Sequence, residues 1–116
     1  MAASPSTDWK VRVQELGGQG ALISVQGELD LSNRDRLASV IEETAARTAG
    51  CLILDIADLS FCDAAGLEVM VAAHHDLARA GRRLVVINAT AHFRRLVKLA
   101  EAGLLLETPS TRPSPA

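Results

Sequence analysis

One acidic residue stands at the junction between an apolar run and a helical pattern, in the stretch LSFCDAAGLEVM that extends from Leu59 to Met70. This residue, Asp63, occupies the position where the N-cap of the helix is predicted. A carboxylate there accepts hydrogen bonds from unpaired amides, here those of Ala65 and Gly66, and opposes the positive end of the helix dipole. The simplest interpretation is a structural cap worth about 1 kcal/mol. The alternative is an exposed contact surface at the helix start, which an added phosphate would alter.

The remaining reactive residues do not form a catalytic constellation. No nucleophile stands beside a base, no carboxylates pair across an obvious shared cleft, and no cofactor-binding fingerprint is present. His74 and His75 are adjacent, so on a helix their side chains point about 100° apart. No Cys/His cluster with metal-ligand spacing accompanies them. We therefore predict a protein that is not an enzyme and that carries neither a cofactor nor a metal.

The two cysteines are separated by a second apolar run, CLILDI. Cys51 is the first residue of this run, and Cys62 lies beyond its last residue. If the run is a strand rising about 3.3 Å per residue, the two residues are farther apart than the ~7 Å that a disulfide allows. Two free thiols favour a reducing compartment. A thiol pKa can fall at a helix start, so a thiol-based switch at Cys62 is a second hypothesis.

The composition indicates a single globular domain. Of the 116 residues, 48% are hydrophobic and 22% charged, while aromatics are only 3%, so the core must consist of aliphatic side chains. A net charge of -2 gives no electrostatic basis for binding nucleic acid. No apolar run approaches the ~20 residues of a membrane span, and MAASPSTD lacks the features of a signal peptide. We predict a cytoplasmic protein with a domain at 9–107, between flexible polar tails at 1–8 and 108–116.

The hydrophobic periodicity predicts an α/β domain with a mixed central sheet of about 4–5 strands and 3–4 helices. WKVRVQEL and ALISVQG form a hairpin around GGQG, and CLILDI and RRLVVINA are buried strands covered on both faces. Between and after them lie three helices, and LLLE adds an edge strand. Ser32 and Thr90 are predicted N-caps, and Gly50, Gly81 and Gly103 close the helices. The predicted inward positions on the three helices are Leu37, Val40, Ile41, Thr44 and Ala45; Leu67, Met70, Val71, His74, Leu77 and Ala78; and Phe93, Leu96, Val97 and Ala100.

Three segments in this order, GELDLSNRDRL, LILDIADLSFCDAAGLEVM and GRRLVVINATAHFRRLVKLAEAGL, resemble the STAS domain, in particular the bacterial anti-sigma factor antagonists. The resemblance extends from about Trp9 to Glu107. Its most specific part is Leu52 to Leu67. There the family typically has Asp-Leu-Ser, an apolar or aromatic residue, one further residue, and then Asp-Ser-Ser/Thr-Gly-Leu.

The resemblance implies a regulatory binding module of the STAS fold without catalytic activity. Family members bind an ATP-dependent serine kinase that doubles as an anti-sigma factor, and they thereby free the sigma factor. The kinase inactivates the antagonist by phosphorylating the first serine after the aspartate. Matched onto this sequence, the aspartate is Asp63 and the glycine and leucine are Gly66 and Leu67. The phosphoacceptor position is Ala64, and Ala65 takes the position of the second hydroxyl.

The two alanines are the departure from the family pattern, because neither side chain has a hydroxyl to accept a phosphate. Ser60, the nearest serine, is predicted to lie in a loop after the strand and is a poor substitute. Three interpretations follow. The protein is a permanently active antagonist, or it binds a partner that is not a kinase or is controlled by competition, or it is a STAS module of a lipid-transport or stress-sensing assembly.

The predicted partner surface combines the junction, from Ser60 to Leu67, with Glu28 and Asp30. These two acids match acidic residues that the family also shows before its first helix. The basic edge of the last helix, formed by Arg94, Arg95 and Lys98, is either a solvated face or a contact for an acidic partner. The residues predicted to bind the partner are Glu28, Asp30, Ser60, Phe61, Cys62, Asp63, Ala64, Ala65, Gly66 and Leu67.

Overall fold

A computed structural model describes residues 9–99 and 106–107 of the chain. The predicted tails at 1–8 and 108–116 lie outside these residues, as do Ala100 and Gly103, the predicted last turn and stop of the third helix. The elements are β1 (Lys10–Glu15), β2 (Gly20–Leu29), α1 (Arg34–Arg47), β3 (Cys51–Cys62), α2 (Ala64–Arg79), β4 (Leu84–Ile87), α3 (Ala91–Leu99) and β5 (Leu106–Glu107).

The five strands form one mixed sheet in the order β1-β2-β3-β4-β5. β1 and β2 are antiparallel and are joined by a short 3-10 turn at Gly17–Gln19, as the hairpin prediction requires. β2, β3, β4 and β5 are mutually parallel, because each connection between them contains a helix (α1, α2 or α3) that carries the chain back to the end of the sheet where the next strand begins. The predicted α/β class, with five strands and three α-helices in the described residues, is confirmed.

The core lies on one face of the sheet, beneath α1 and α2. In β3, Leu52, Leu54 and Ile56 are fully buried, whereas Ile53 and Asp55 on the opposite face are only half-buried. The prediction that this strand is covered on both faces is therefore wrong for one face. Each fully buried aliphatic side chain contributes about 1.5–3 kcal/mol. The remaining members of the core on β2, β4 and the first two helices are Ala21, Ile23, Val25, Leu29, Leu84, Val86, Leu37, Ile41, Leu67, Met70 and Leu77.

The helix faces agree with the predicted stripes except at one position. Ala78, predicted to point inward on α2, is exposed, while Val71 and His74 are half-buried. On α3, Phe93 and Val97 are buried and Leu96 is half-buried against the core. The periodicity therefore identifies the packing face correctly, and the error lies at the end of α2, beyond its last buried residue.

Among the predicted helix ends at Ser32, Gly50, Gly81 and Thr90, two are confirmed and two are wrong. α1 ends at Arg47 with Thr48 as its C-cap, so Gly50, at φ 87°, lies beyond the helix and does not close it. The hydroxyl oxygen of Thr90 accepts the amide of Phe93 at 3.0 Å, and Gly81, at φ 76°, ends α2. Ser32 does not cap α1: Asn33 holds the N-cap position, and the Ser32 hydroxyl donates instead to Asp30 Oδ1 at 2.6 Å. A short hydroxyl side chain competes readily for such local partners.

β3 is twice as long as the apolar run that predicted it, and it ends only at Cys62. The extension pairs with the end of β2, after register shifts between Ser24 and Gln26 and again between Gly27 and Glu28. Ser60 is therefore a strand residue and not, as predicted, part of a loop. The longer strand leads directly into the cap of α2, which fixes where that helix begins.

Candidate functional site

The ends of three neighbouring parallel strands meet at one edge of the sheet. Leu29, at the end of β2, is in register with Cys62 at the end of β3, and the Asp63 amide donates to the Leu29 carbonyl at 3.3 Å. β4 runs parallel to β3 and leads through Thr90 into α3. In open α/β sheets this edge is where binding sites form.

Asp63 caps α2 from the end of β3. Its Oδ1 accepts the Gly66 amide at 2.9 Å, and its carbonyl accepts the Leu67 amide at 3.0 Å. The predicted cap is confirmed, although within residues 9–99 its side chain accepts from Gly66 alone and not also from Ala65. The carboxylate is therefore held at the positive end of the helix, directly before the exposed methyl of Ala64.

Gly66 allows α2 to pack closely on the sheet at this point. A methyl group added to it would lie 2.8 Å from Cγ of Leu29, 2.9 Å from its Cδ2 and 3.0 Å from Sγ of Cys62. Leu67 is buried beside it, and Cys62 is only 4% exposed. Cys62, Gly66 and Leu67, all predicted to bind a partner, therefore lie beneath the surface and support it from within.

The loop between β2 and α1 is ordered by Asn33, a residue that the sequence did not single out. Its side chain is buried, donates to the Glu28 carbonyl at 2.7 Å and accepts the Asp30 amide at 3.0 Å. Asp30 in turn accepts both the amide and the hydroxyl of Ser32. These bonds fix the position of Leu31, whose side chain is 68% exposed at the loop tip.

The exposed part of the site includes two large apolar side chains, Leu31 and Phe61. Glu28, Ser60, Phe61 and Ala64 are exposed, and Asp30, Asp63 and Ala65 are half-buried. Phe61 is 44% exposed and in register with Glu28. Exposed apolar side chains beside charged residues are typical of protein-binding surfaces. The sequence analysis did not single out Leu31, although its position between GELD and the first helix could have identified it.

The arrangement offers no phosphoacceptor at the helix start, because Ala64 and Ala65 end in methyl groups. The Ser60 hydroxyl donates to the Gly27 carbonyl at 3.1 Å and belongs to the strand. An ion pair of 3.1 Å between Arg34 and Glu68 links the first residue of α1 to the second turn of α2. Exposed pairs of this kind contribute less than about 1 kcal/mol, so this pair adds little to the stability of the site.

The hypothesis of a thiol switch at Cys62 is wrong about the thiol pKa. Burial first, and the neighbouring Asp63 carboxylate second, raise the pKa of Cys62 to about 12. Because the thiolate is the reactive form, this thiol is protonated and unreactive at neutral pH. Both cysteines are free, as predicted from their separation.

We predict that iodoacetamide at pH 8 modifies Cys51 and leaves Cys62 unmodified in the folded protein. Cys51 is half-buried, whereas Cys62 is buried and carries the raised pKa. Mass spectrometry of peptides after timed quenching measures both rates, and the same reaction in denaturant is the control in which both label. Equal rates in the folded protein would contradict the burial of Cys62.

None of the helices within the described residues is long and apolar enough to cross a membrane. The described residues form a small α/β domain in which the ends of parallel strands meet beside the start of α2.

Comparisons with known proteins identify the family. The family model of the STAS domain matches residues 10–113. The chain therefore belongs to the STAS domain family. A search of curated proteins with this sequence gives no match.

Several solved structures share the fold. The anti-sigma factor antagonist from Mycobacterium paratuberculosis superposes with a TM-score of 0.76 at 21% identity, over 95% of this chain and 92% of that one. The phosphorylated form of the Bacillus cell fate determinant SpoIIAA gives 0.71 at 16% identity, over 88% and 93%. The antisigma-factor antagonist STAS domain from Rhodobacter sphaeroides gives 0.59 at 13% identity, over 72% and 89%. At these identities the likeness establishes the fold.

Proposed function

We propose that the protein is a non-catalytic anti-sigma factor antagonist in the cytoplasm. It binds a kinase-type anti-sigma factor through the surface around Ala64 and so releases a sigma factor. The observation that carries this proposal is the α2 start itself, where Asp63 caps the helix and presents an exposed residue at the position that the family phosphorylates. Phosphorylation at the usual site does not control this chain, because Ala64 has no hydroxyl.

The native surface around Ala64 is then equivalent to the unphosphorylated state of a family member. SpoIIAA, a structural relative, has been solved in both an unphosphorylated and a phosphorylated form. A phosphate at position 64 would add nearly two negative charges next to Asp63. A contact surface that includes the Ala64 methyl would lose affinity for its partner, because the phosphate adds both bulk and charge.

The test uses the purified chain as bait in its native lysate, with the Ala64→Asp and Ala72→Asp variants beside it. Ala72 is an exposed alanine farther along α2, so both variants add one negative charge to the same helix. Asp at the first helical position is favourable for the helix, so Ala64→Asp is expected to stay folded. We expect a kinase-type anti-sigma factor to be captured by the native chain and Ala72→Asp, and not by Ala64→Asp.

With the captured partner purified, Ala64→Asp is expected to weaken binding at least about tenfold, or 1.4 kcal/mol, in isothermal titration calorimetry. Equal affinity of the native chain and Ala64→Asp would exclude this surface as the interface. Recovery of subunits of a lipid-transport or stress-sensing complex would favour the alternative assembly and overturn the sigma-factor proposal. The STAS fold is common to both.

A further inference from the structure

A cavity of about 250 Å³ opens beside the candidate site, between the end of β3 and the start of α3. We call it the Phe61 pocket. It continues the surface around Ala64, because the exposed residues Ser60 and Phe61 belong to both. Its lining residues are Ile56, Leu59, Ser60, Phe61, Cys62, Thr90, His92 and Phe93.

The chemistry of the pocket favours an apolar occupant. Ile56, Leu59 and Phe93 are buried in its wall, and Phe61 is one of the few large apolar side chains left exposed within the described residues. Both hydroxyl groups in the lining hydrogen-bond to the backbone: Ser60 donates to the Gly27 carbonyl, and the Thr90 oxygen accepts the Phe93 amide. A cavity of about 150 Å³ lined by apolar side chains holds benzene, so 250 Å³ has room for one Leu, Met or Phe side chain.

The charges around the pocket are opposite on its two sides. On the α3 side, Arg95 lies one helical turn after His92 and Lys98 one turn further, and all three are exposed. None of the ion pairs between described residues uses Arg95 or Lys98. On the β2 side, Glu28 is in register with Phe61. Acidic residues that flank an inserted side chain are therefore attracted to α3 and repelled from β2.

We propose that the Phe61 pocket accepts one apolar side chain of a partner protein, and that acidic residues next to this anchor lie along the basic edge of α3. The inference rests on the proposed function in that it extends the same binding surface. In a two-fold symmetric dimer formed through this surface, a second copy of the chain would bring its own basic edge toward this one. The ends at 1–8 and 108–116, MAASPSTD and TPSTRPSPA, do not join a large apolar residue to an acidic cluster.

The proposal is tested without the natural partner, by titrating the 15N-labelled full chain with three capped peptides. The first is Ac-Gly-Phe-Glu-Glu-Glu-NH2. The second replaces the anchor, as Ac-Gly-Ala-Glu-Glu-Glu-NH2, and the third reverses the charge, as Ac-Gly-Phe-Lys-Lys-Lys-NH2. We expect only the first peptide to shift the amide signals of Leu59–Cys62 and Thr90–Arg95 saturably, with a dissociation constant of about 1 mM.

Two arginine variants separate site-specific attraction from the general effect of charge. Arg95→Glu is expected to weaken binding of the first peptide at least about tenfold. Arg36→Glu, which changes the net charge equally at an exposed position of α1, is expected to leave the affinity within about twofold. Equal effects of the two variants, equal binding of the alanine peptide, or shifts centred elsewhere would overturn the proposal.

The peptide titration tests the pocket, and the capture experiment tests the proposed function, so either can fail without the other. Peptide binding at the pocket with no anti-sigma factor captured would retain the pocket and reject the proposed function. Capture of the anti-sigma factor with no peptide binding would retain the proposed function and reject the pocket.

Discussion

Gly20→Ala is expected to destabilise the protein by more than about 4 kcal/mol, a large part of the roughly 5–15 kcal/mol that stabilises a typical domain. The added methyl would lie 1.8 Å from the carbonyl oxygen of Cys51 and 2.8 Å from its carbon. Both are backbone atoms of the strand paired with Gly20, so no side-chain rotation relieves the clash. Gly20 also has φ 112°, where a residue with a Cβ is strained by a further 1–3 kcal/mol or so.

Urea denaturation followed by circular dichroism measures this effect, and Gly18→Ala is the matched control. Gly18 lies two residues earlier in the same turn, where an added methyl meets no atom within 4 Å. The control is expected to change the free energy of unfolding by no more than about 0.5 kcal/mol. A native-like unfolding midpoint for Gly20→Ala would show that the first residues of β2 and β3 are not as closely paired as described.

The second large effect is expected at the contact beneath the candidate site. Leu29→Ala removes a fully buried side chain and is expected to cost about 2–5 kcal/mol. Gly66→Ala is expected to cost about 1–3 kcal/mol, because its methyl would lie 2.8 Å from Leu29 Cγ. In the double variant the new methyl enters the space that the leucine left. The combined cost is therefore expected to fall at least about 1 kcal/mol below the sum.

The double-mutant cycle is measured by urea denaturation of the four proteins. A second cycle, Leu84→Ala with Gly66→Ala, is the control, because Leu84 is equally buried but pairs with Leu52 near the opposite end of β3. That pair is expected to be additive within about 0.5 kcal/mol. Additivity of Leu29→Ala and Gly66→Ala would contradict the close packing of α2 on the end of β2.

The sequence by itself determined the order and type of the elements. The alternation in WKVRVQEL, the apolar run CLILDI and the helical stripes each arise from local geometry, which repeats every two or 3.6 residues. The caps at Asp63 and Thr90 were predictable for the same reason, since a cap bonds an amide only three residues away. The absence of a hydroxyl at Ala64 is likewise a fact of sequence alone.

Only the tertiary structure decided how far each strand runs and which residues reach the surface. β3 extends to Cys62 because its last residues pair with β2, more than thirty positions earlier in the chain, and no local pattern encodes that pairing. Burial against α2 then raises the pKa of the Cys62 thiol, where helix position alone predicted a fall. The Phe61 pocket likewise depends on segments distant in sequence, because β3 and α3 both line it. Contacts of this kind are set by tertiary packing, about which the hydrophobic periodicity of a single segment gives no information.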